Sequence, residues 1–376
     1  MKFELKRIQQ ALEQEGLDGW LFVDHHRRDP LAYRILGLPS EWTPTRRWYY
    51  LVRRSDEPIK LVHRIEAQAL ASLPGMTLQY ASWVEHVDQL SWMLSTVRRV
   101  AMQYSPRCEI PYVANVDAGT VELVRSFGVE VCSSADLVQL FEARWTPAQL
   151  ASHLEAARRI DRIRRETFVW LGNVLRQGQP LTEWDVKCHV LEAFARERLR
   201  TDHGPIVAAD DNTADPHYEP QAGRARRIRP GSWVLLDLWA KLDEPESVYY
   251  DTTWTAYCGA TVPDAYLQVF DVVVRARDAA LTLVEQAVNS GRLLRGYEID
   301  DAARAVIREA GYGERFPHRT GHSLGQDVHG AGANADNWET HDERRILPGT
   351  AFTIEPGVYL ETFGVRSEVD VYVGED

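Results

Sequence analysis

Apolar positions along the first 140 or so residues switch between helical and extended spacing. Residues 3–15 carry apolar side chains at helical intervals, and the run LDGWLFV that follows indicates a buried strand. RRWYYLV and IKLVH flank the turn-forming SDEP, which predicts a hairpin. Residues 86–98 and VDAGTVELVRSF then favour helices, and RRVAMQY and VEVCSS favour strands. Helices interleaved with strands predict an α/β domain over residues 1–143.

A strong helix-start signal opens the rest of the chain. In ARWTPAQL, Thr146 is a good N-cap, Pro147 suits the first helical position and Gln149 completes a capping box. The signal predicts a long helix and a domain boundary near 143–147. The second domain then covers residues 144–376.

Helices and strands come in blocks through this second domain. A second helix is predicted from about Thr182 to Arg198, and GSWVLLDLWA and SVYYDTTWTAYCG are rich in aromatic and β-branched residues, which is typical of strands. Residues 263–290 and 297–310 have helical patterns, and TAFTIEPGVYL and GVRSEVDVYV close the chain as strands. The order predicts an α+β domain and hints at two similar halves.

Composition narrows the class of protein. The 376 residues are 44% hydrophobic and 26% charged, as in ordinary globular chains, and the net charge of -12 argues against nucleic acid or anionic membrane surfaces as main partners. The four cysteines form no CxxC pair, which argues against a zinc ribbon. The N-terminus lacks the apolar core of a signal peptide, and no window approaches the roughly 18 apolar residues of a membrane span. A cytoplasmic protein is predicted.

The segment HRTGHSLGQDVH, His318 to His329, carries candidate metal chemistry. It places three histidines in twelve residues, and Gly321 and Gly325 would let other backbone pack close to it. Histidine suits a metal site because one ring nitrogen can bind the ion while a neighbour orients the other.

Four acidic residues lie on or at the end of apolar strands. Asp237 follows WVLL, Asp251 follows VYY, Glu355 follows FTI, and Glu368 lies between two strand valines. A buried carboxylate costs several kcal/mol unless it is paired or bound to a metal. Four such acids together with His322 predict a site for a pair of hard divalent metals.

Six segments resemble the motifs of the pita-bread metallopeptidases, which include methionine aminopeptidase, aminopeptidase P and prolidase. They are VLLDLW, YYDTTWT, DPHY, HRTGHSLGQDVH, FTIEPGVY and GVRSEVDV, although DPHY precedes the other five along the chain, and together they cover residues 203–373. The preceding α/β domain resembles the creatinase-like N-terminal domain of the aminopeptidase P and prolidase branch. The resemblance implies an α/β N-terminal domain followed by an α+β pita-bread catalytic domain.

The resemblance also implies a set of metal ligands. Asp237 would chelate one metal, Asp251 and Glu368 would bridge both, and His322 and Glu355 would hold the second. Water activated by the two metals would be the nucleophile, and Glu355 would accept its proton. An oxygen-rich set with one imidazole suits Mn²⁺, with Co²⁺ or Zn²⁺ as alternatives.

Four further residues take roles from the resemblance. His217 in DPHY would steady the leaving nitrogen or the gem-diolate at the scissile amide. His329 would contact the substrate carbonyl, and His318 would be a further histidine of the pocket. Arg366 would pair with Asp251 or orient the site.

Several tryptophans bear on the substrate pocket or on the core. Trp239 replaces a glycine that the family usually has two residues after the first aspartate, and Trp254 replaces an arginine. These replacements leave substrate preference open. Trp42, Trp48 and Trp83 are predicted to lie in the core.

The function implied by the resemblance is a dimetal peptidase that hydrolyses the bond before proline in dipeptides or short peptides, as a homodimer. Three alternatives share the fold. A metal-free creatinase-type hydrolase of a guanidino compound or an inactive binding module would have lost ligands, and all five are present here. An ectoine-hydrolase-like enzyme acting on a cyclic small molecule could retain them.

Overall fold

The computed structural model describes residues 3–39 and 41–374. The chain divides into two compact units, Met1–Glu142 and Ala143–Asp376. No helix in the described ranges is long and apolar enough to cross a bilayer.

The first unit is built on a six-stranded mixed sheet. Its helices are Leu5–Gln14 (α1), Pro30–Leu36 (α2), Trp83–Leu94 (α3), Ala118–Ser126 (α4) and Ala135–Val138 (α5). Its strands are Gly19–Asp24 (β1), Trp48–Arg53 (β2), Ile59–His63 (β3), Met76–Tyr80 (β4), Arg99–Met102 (β5) and Glu130–Ser133 (β6). The strand order is β4-β3-β2-β1-β5-β6, and the predicted hairpin of β2 and β3 is confirmed by its antiparallel pairing.

The structure of this unit differs from the sequence prediction in two places. The edge strand β4 was not predicted, because its side chains are mostly exposed and it therefore lacks an apolar run. Trp83 was predicted to lie in the core, but its side chain is 79% exposed, whereas Trp48 is buried. Trp83 is the first residue of α3, directly after the N-cap Ser82, whose capping box with Glu85 starts the helix there. The capping box therefore determines where α3 begins, and the indole of Trp83 at this position is exposed to solvent.

The second unit contains two pairs of long helices and three sheets. Its helices are Pro147–Arg176 (α6), Glu183–Arg196 (α7), Asp264–Ser290 (α8) and Gly296–Glu309 (α9). Its strands are Leu199–Arg200 (β7), Ile206–Ala209 (β8), Trp233–Leu242 (β9), Tyr250–Tyr257 (β10), Ser323–Leu324 (β11), Ala351–Ile354 (β12), Gly357–Tyr359 (β13), Gly364–Arg366 (β14) and Val369–Tyr372 (β15).

Each helix pair packs on its own strands. The apolar faces of α6 and α7 bury against β8 and β9, and those of α8 and α9 bury against β12, β13 and β14. The capping box of Thr146 and Gln149 starts α6 as predicted, with Pro147 at the first helical position. The sheets are β10-β9-β7 with β8 also on β9, β11-β12-β15, and the pair β13-β14.

The register between β9 and β10 prepares the candidate site. Asp237 lies opposite Thr253, and Trp239 lies opposite Asp251. Directly opposed residues in an antiparallel pair project from the same face, and so do residues two apart on one strand. All four side chains therefore share one face of the sheet.

Candidate metal centre

The five predicted metal ligands come from five places in the second unit and converge. Ligand atoms of Asp251, His322 and Glu368 all lie within 4.8 Å of one another. Glu355 Oε1 lies 3.4 Å from His322 Nε2. Asp237 lies on β9, and its charge acts on the carboxyl groups of both Asp251 and Glu368.

Three carboxyl groups of this cluster, those of Asp251, Glu355 and Glu368, disfavour ionisation in the absence of a cation. Burial raises the pKa of Asp251 and Glu368 well above the ordinary range, and the surrounding carboxylates raise both further. Burial likewise raises the pKa of Glu355 to about 7, although the charge of Arg366 acts in the opposite direction. Asp237 Oδ1 and Asp251 Oδ1 are buried and accept no hydrogen bond from the described residues. Each is a carboxylate oxygen in need of a positive partner.

His322 is oriented as a metal ligand should be. Its Nδ1 lies 3.2 Å from the carbonyl oxygen of Ser323, which can only accept, so the proton is on Nδ1. The Nε2 lone pair then points towards carboxylate oxygens of Glu355 and Asp251, at 3.4 and 3.7 Å. Burial lowers the pKa of the ring well below its ordinary value, so it stays neutral. A lone pair facing two ionised carboxylates is repulsive, and a cation bound between them would relieve that repulsion.

Gly321 explains how His322 reaches the cluster. A Cβ at this position would lie 1.8 Å from the carbonyl oxygen of Thr353, so only glycine lets the two backbones approach. The predicted close approach is confirmed at Gly321. It is wrong for Gly325, where an added Cβ would make only ordinary contacts at 3.9 Å.

Arg366 pairs with Asp237 and not with Asp251. Its guanidinium donates to Asp237 Oδ2 at 2.5 Å and to Thr253 Oγ1 at 3.0 Å. Asp251 instead accepts no bond from Arg366 in the structure, and its backbone N–H is bonded to Asp370 Oδ2 at 3.0 Å. The correction follows from the strand register, which places Asp237 opposite Thr253.

His318 is tied into the same network and does not present a free nitrogen. Its Nδ1 donates to the carbonyl oxygen of Arg319 at 2.7 Å, so its Nε2 accepts from the Tyr359 hydroxyl at 2.8 Å. That hydroxyl in turn accepts from Arg366 at 3.0 Å. Burial lowers the pKa of His318 to about 3, so the ring is neutral. This chain of hydrogen bonds supports Arg366.

Thr253 and Tyr359 belong to the site, and sequence reasoning missed both. The Thr253 hydroxyl donates to Glu368 Oε2 at 2.7 Å and also accepts from Arg366. Its position two residues after Asp251 on a strand was an available signal, because such residues share a face. Nothing in the sequence around Tyr359 marks it as different from an ordinary strand aromatic.

The two other predicted histidines lie beside the cluster and are exposed. The His329 ring is 4.4 Å from the His322 ring, edge to face. His217 lies in the loop after β8, and its charge acts on both His318 and His329. The structure therefore brings all nine predicted residues into one region, with the five predicted metal ligands at its buried end.

The two replaced positions differ in their relation to the site. Trp239 shares the sheet face of the aspartates, is half-buried, and donates through Nε1 to Asp202 Oδ1 at 3.0 Å. Trp254 is three residues from Asp251 and so projects from the opposite face, where it lies under the guanidinium of Arg164. Trp239 is therefore the replacement that can shape the substrate pocket.

In the metal-free protein we expect the free energy of unfolding to fall as the pH rises from about 6.5 to 8. Glu355, Asp251 and Glu368 have raised pKa values, so in this range the folded chain binds protons that the unfolded chain has released. The free energy of unfolding should therefore fall by about 1–4 kcal/mol in total as the pH rises through the folded-state pKa values of these groups. Below about pH 6.5, His318 and His322 act in the opposite sense, because their pKa values are lowered and unfolding lets them bind protons.

Urea unfolding in EDTA across this pH range measures the effect. Saturating Mn²⁺ should flatten the curve, because bound cations keep the carboxyl groups ionised in the folded state. A metal-free protein whose stability is constant or rises between pH 6.5 and 8 would contradict the expectation.

Comparison with known proteins places this geometry in a family. The profile of metallopeptidase family M24 matches residues 151–375. An uncharacterised peptidase of Staphylococcus epidermidis is 31% identical in an alignment that covers 99% of this chain and 97% of that protein. The structure of dipeptidase PepE from Mycobacterium ulcerans matches with a TM-score of 0.71 at 24% identity, covering 99% of this chain and 92% of that chain.

A further solved structure is the X-prolyl aminopeptidase of Caenorhabditis elegans, described as a cytosolic enzyme with a di-nuclear active site. It matches with a TM-score of 0.68 at 18% identity, covering 97% of this chain and 57% of that chain. Both structural matches extend through the N-terminal α/β unit, so the predicted combination of that unit with a pita-bread domain is confirmed. The chain belongs to metallopeptidase family M24.

Proposed function

We propose that this metallopeptidase uses two divalent metal ions to hydrolyse the Xaa-Pro bond of dipeptides or short peptides, and that its second unit is the catalytic domain. The observation that supports this most is the cluster of four carboxylates around the neutral His322, three of them buried and Glu355 nearly so. When all four carboxyl groups are ionised, they and the guanidinium of Arg366 together carry a formal charge of −3. One divalent cation cannot neutralise that charge, whereas two can.

The ligands in this proposal are Asp237, Asp251, His322, Glu355 and Glu368, and their chemistry suits Mn²⁺. When bound, the metals lower the pKa of a water molecule and polarise the substrate carbonyl. Glu355 is the residue that accepts the proton of the attacking water. Thr353 Oγ1 at 3.0 Å and Arg366 at 4.0 Å orient its two oxygens, and a carboxylate held in place beside the attacking water can act as the base.

His217 is proposed to steady the leaving nitrogen. Its side chain is exposed, so a substrate can reach it, and it lies near His318 and His329 at the open end of the site. A proline nitrogen carries no N–H in the substrate and must gain a proton on leaving. A histidine at that nitrogen would supply a donor that the metals cannot. His329, exposed beside His322, is proposed to contact the substrate carbonyl.

The X-prolyl aminopeptidase match supports proline specificity because it covers nearly the whole chain, including the N-terminal unit. The same match supports the proposal that the site binds two metal ions and the proposal that the enzyme is cytosolic. A homodimer stays a prediction from the family resemblance.

Ala-Pro should be hydrolysed at least about 100-fold faster than Ala-Ala, as measured by kcat/KM with Mn²⁺ added. The reason is that a pocket shaped for the ring, with His217 at the nitrogen, gains binding energy in the transition state that Ala-Ala does not offer. Initial rates on the two matched dipeptides, and on Ala-Pro-Ala and Ala-Ala-Ala, measure the preference and show whether longer peptides are accepted.

Equal rates for the two dipeptides would show a general dipeptidase. Cleavage of neither, with metal bound, would indicate that the scaffold acts on another small molecule, and Trp239 would be the first residue to test.

A further inference from the structure

A single buried carboxylate organises the loop that carries His217. Glu183 is the first residue of α7 and is fully buried. It has no cationic partner among the described residues, but its oxygens accept five hydrogen bonds from four groups. The donors are the backbone N–H of Ala209 (2.7 Å), Asn212 Nδ2 (2.9 and 3.2 Å), the Tyr218 hydroxyl (2.7 Å) and the backbone N–H of Arg226 (2.7 Å).

These donors span most of the connection between β8 and β9. Ala209 ends β8 and Arg226 lies seven residues before β9 begins at Trp233, so one carboxylate joins the two ends of residues 209–226. Tyr218 is the residue directly after His217. A return bond from the N–H of Glu183 to the carbonyl oxygen of Arg226, at 3.0 Å, closes the arrangement.

The same helix face provides a second attachment. Lys187, one turn after Glu183 on α7, is buried and donates to Glu219 Oε1 at 2.8 Å. Glu219 is two residues after His217 and is largely exposed. The buried bond to Tyr218 and the exposed pair with Glu219 therefore fix consecutive residues on one side of His217.

The other side of His217 is fixed from the metal centre. Arg366, which donates to Asp237, also donates to the carbonyl oxygen of Pro216 at 3.1 Å. His217 is thus exposed at its ring while both neighbouring residues are bonded to buried charged groups. An exposed loop histidine with no such attachments would sample many orientations, at a cost in catalysis.

Resting on the proposed function, we infer that Glu183 is a positioning residue, which holds His217 in register with the metal centre. Its negative charge is needed, because four separate donors converge on it and an amide offers one acceptor oxygen and adds two donors. Its place in the first turn of α7 also favours a carboxylate, since the helix N-terminus carries positive partial charge.

The test compares Glu183→Gln with Glu192→Gln, a matched change at an exposed position of the same helix. We expect Glu183→Gln to lower kcat for Ala-Pro by about 10–100-fold, with KM and metal content little changed. Tyr218→Phe removes one of the bonds and should lower kcat by roughly 3–10-fold, so it serves if Glu183→Gln fails to fold. Full activity in Glu183→Gln or Tyr218→Phe would overturn the inference.

A double-mutant cycle separates positioning from general stabilisation. If Glu183 acts through His217, then Glu183→Gln should cost less than about twofold in kcat when His217 is already alanine. An undiminished loss in that background would show that Glu183 acts on the fold and not on His217.

Hydrogen exchange of the metal-free proteins gives a readout that does not depend on peptidase activity. Segment 210–226 should exchange faster in Glu183→Gln than in wild type or Glu192→Gln, with other segments unchanged. If wild type cleaves no Xaa-Pro peptide, the proposed function fails while this measurement still stands. Unchanged exchange in the segment would reject the positioning role whatever the substrate.

Discussion

Replacing Asp251 with asparagine or Glu368 with glutamine should lower kcat for Ala-Pro by at least about 10³-fold, while the chain stays folded. Each carboxylate lies in the group whose ligand atoms are within 4.8 Å of one another, and each is proposed to contact both metals. Loss of either would disturb two ions at once. The metal-free variants should be more stable than metal-free wild type at pH 8, because each substitution removes a carboxyl group whose ionisation the buried cluster opposes.

Metal analysis and unfolding curves decide between this explanation and simple misfolding. Wild type saturated with Mn²⁺ should hold about two ions per chain, and the variants about one or fewer. Glu285→Gln, at an exposed position of α8, is the control for Glu368→Gln. A variant that keeps most of its turnover would show that the bridging role belongs elsewhere, and wild type binding less than one ion would reject the dinuclear proposal.

The sequence was informative where one signal dominated. Two helix starts could be predicted from a few residues each, from Thr146 with Gln149 and from Thr182 before α7. Both helices begin directly after these N-cap residues. Acids on apolar strands were equally informative, because a buried carboxylate has few explanations. That signal, with the family resemblance, identified five acidic and histidine residues that converge in the second unit, although it missed Asp370, which accepts from the backbone N–H of Asp251.

Features that depend on long-range pairing could not be predicted in this way. Arg366 was expected to pair with Asp251 or to orient the site, but its partner is Asp237, and the β9–β10 register that places Asp237 beside Thr253 is revealed by no local pattern. Glu183 showed no signal at all, since an acid in the first turn of a helix is ordinary on the surface. Its importance arises only because a loop ending more than forty residues later folds back onto it.

The change of His217 to alanine should lower kcat for Ala-Pro by about 10²–10³-fold and leave the metal content intact. The proposed role of His217 is at the substrate nitrogen. Among the described residues, it forms no hydrogen bond with a carboxylate of the cluster. Because its ring is exposed, its removal should also leave the free energy of unfolding within about 0.5 kcal/mol of wild type.

The loss for this variant should depend on the leaving group, which separates a role at the nitrogen from a role in binding. A substrate whose leaving group needs no proton, such as an alanyl ester, should be hydrolysed by His217→Ala at close to the wild-type rate, whereas Ala-Pro should not. His341→Ala, at an exposed histidine of the same unit, is the control and should change neither rate. Metal lost together with activity would place His217 among the ligands. An equal loss on ester and amide would mean that the histidine acts before the bond to nitrogen breaks, on the carbonyl and not on the leaving group.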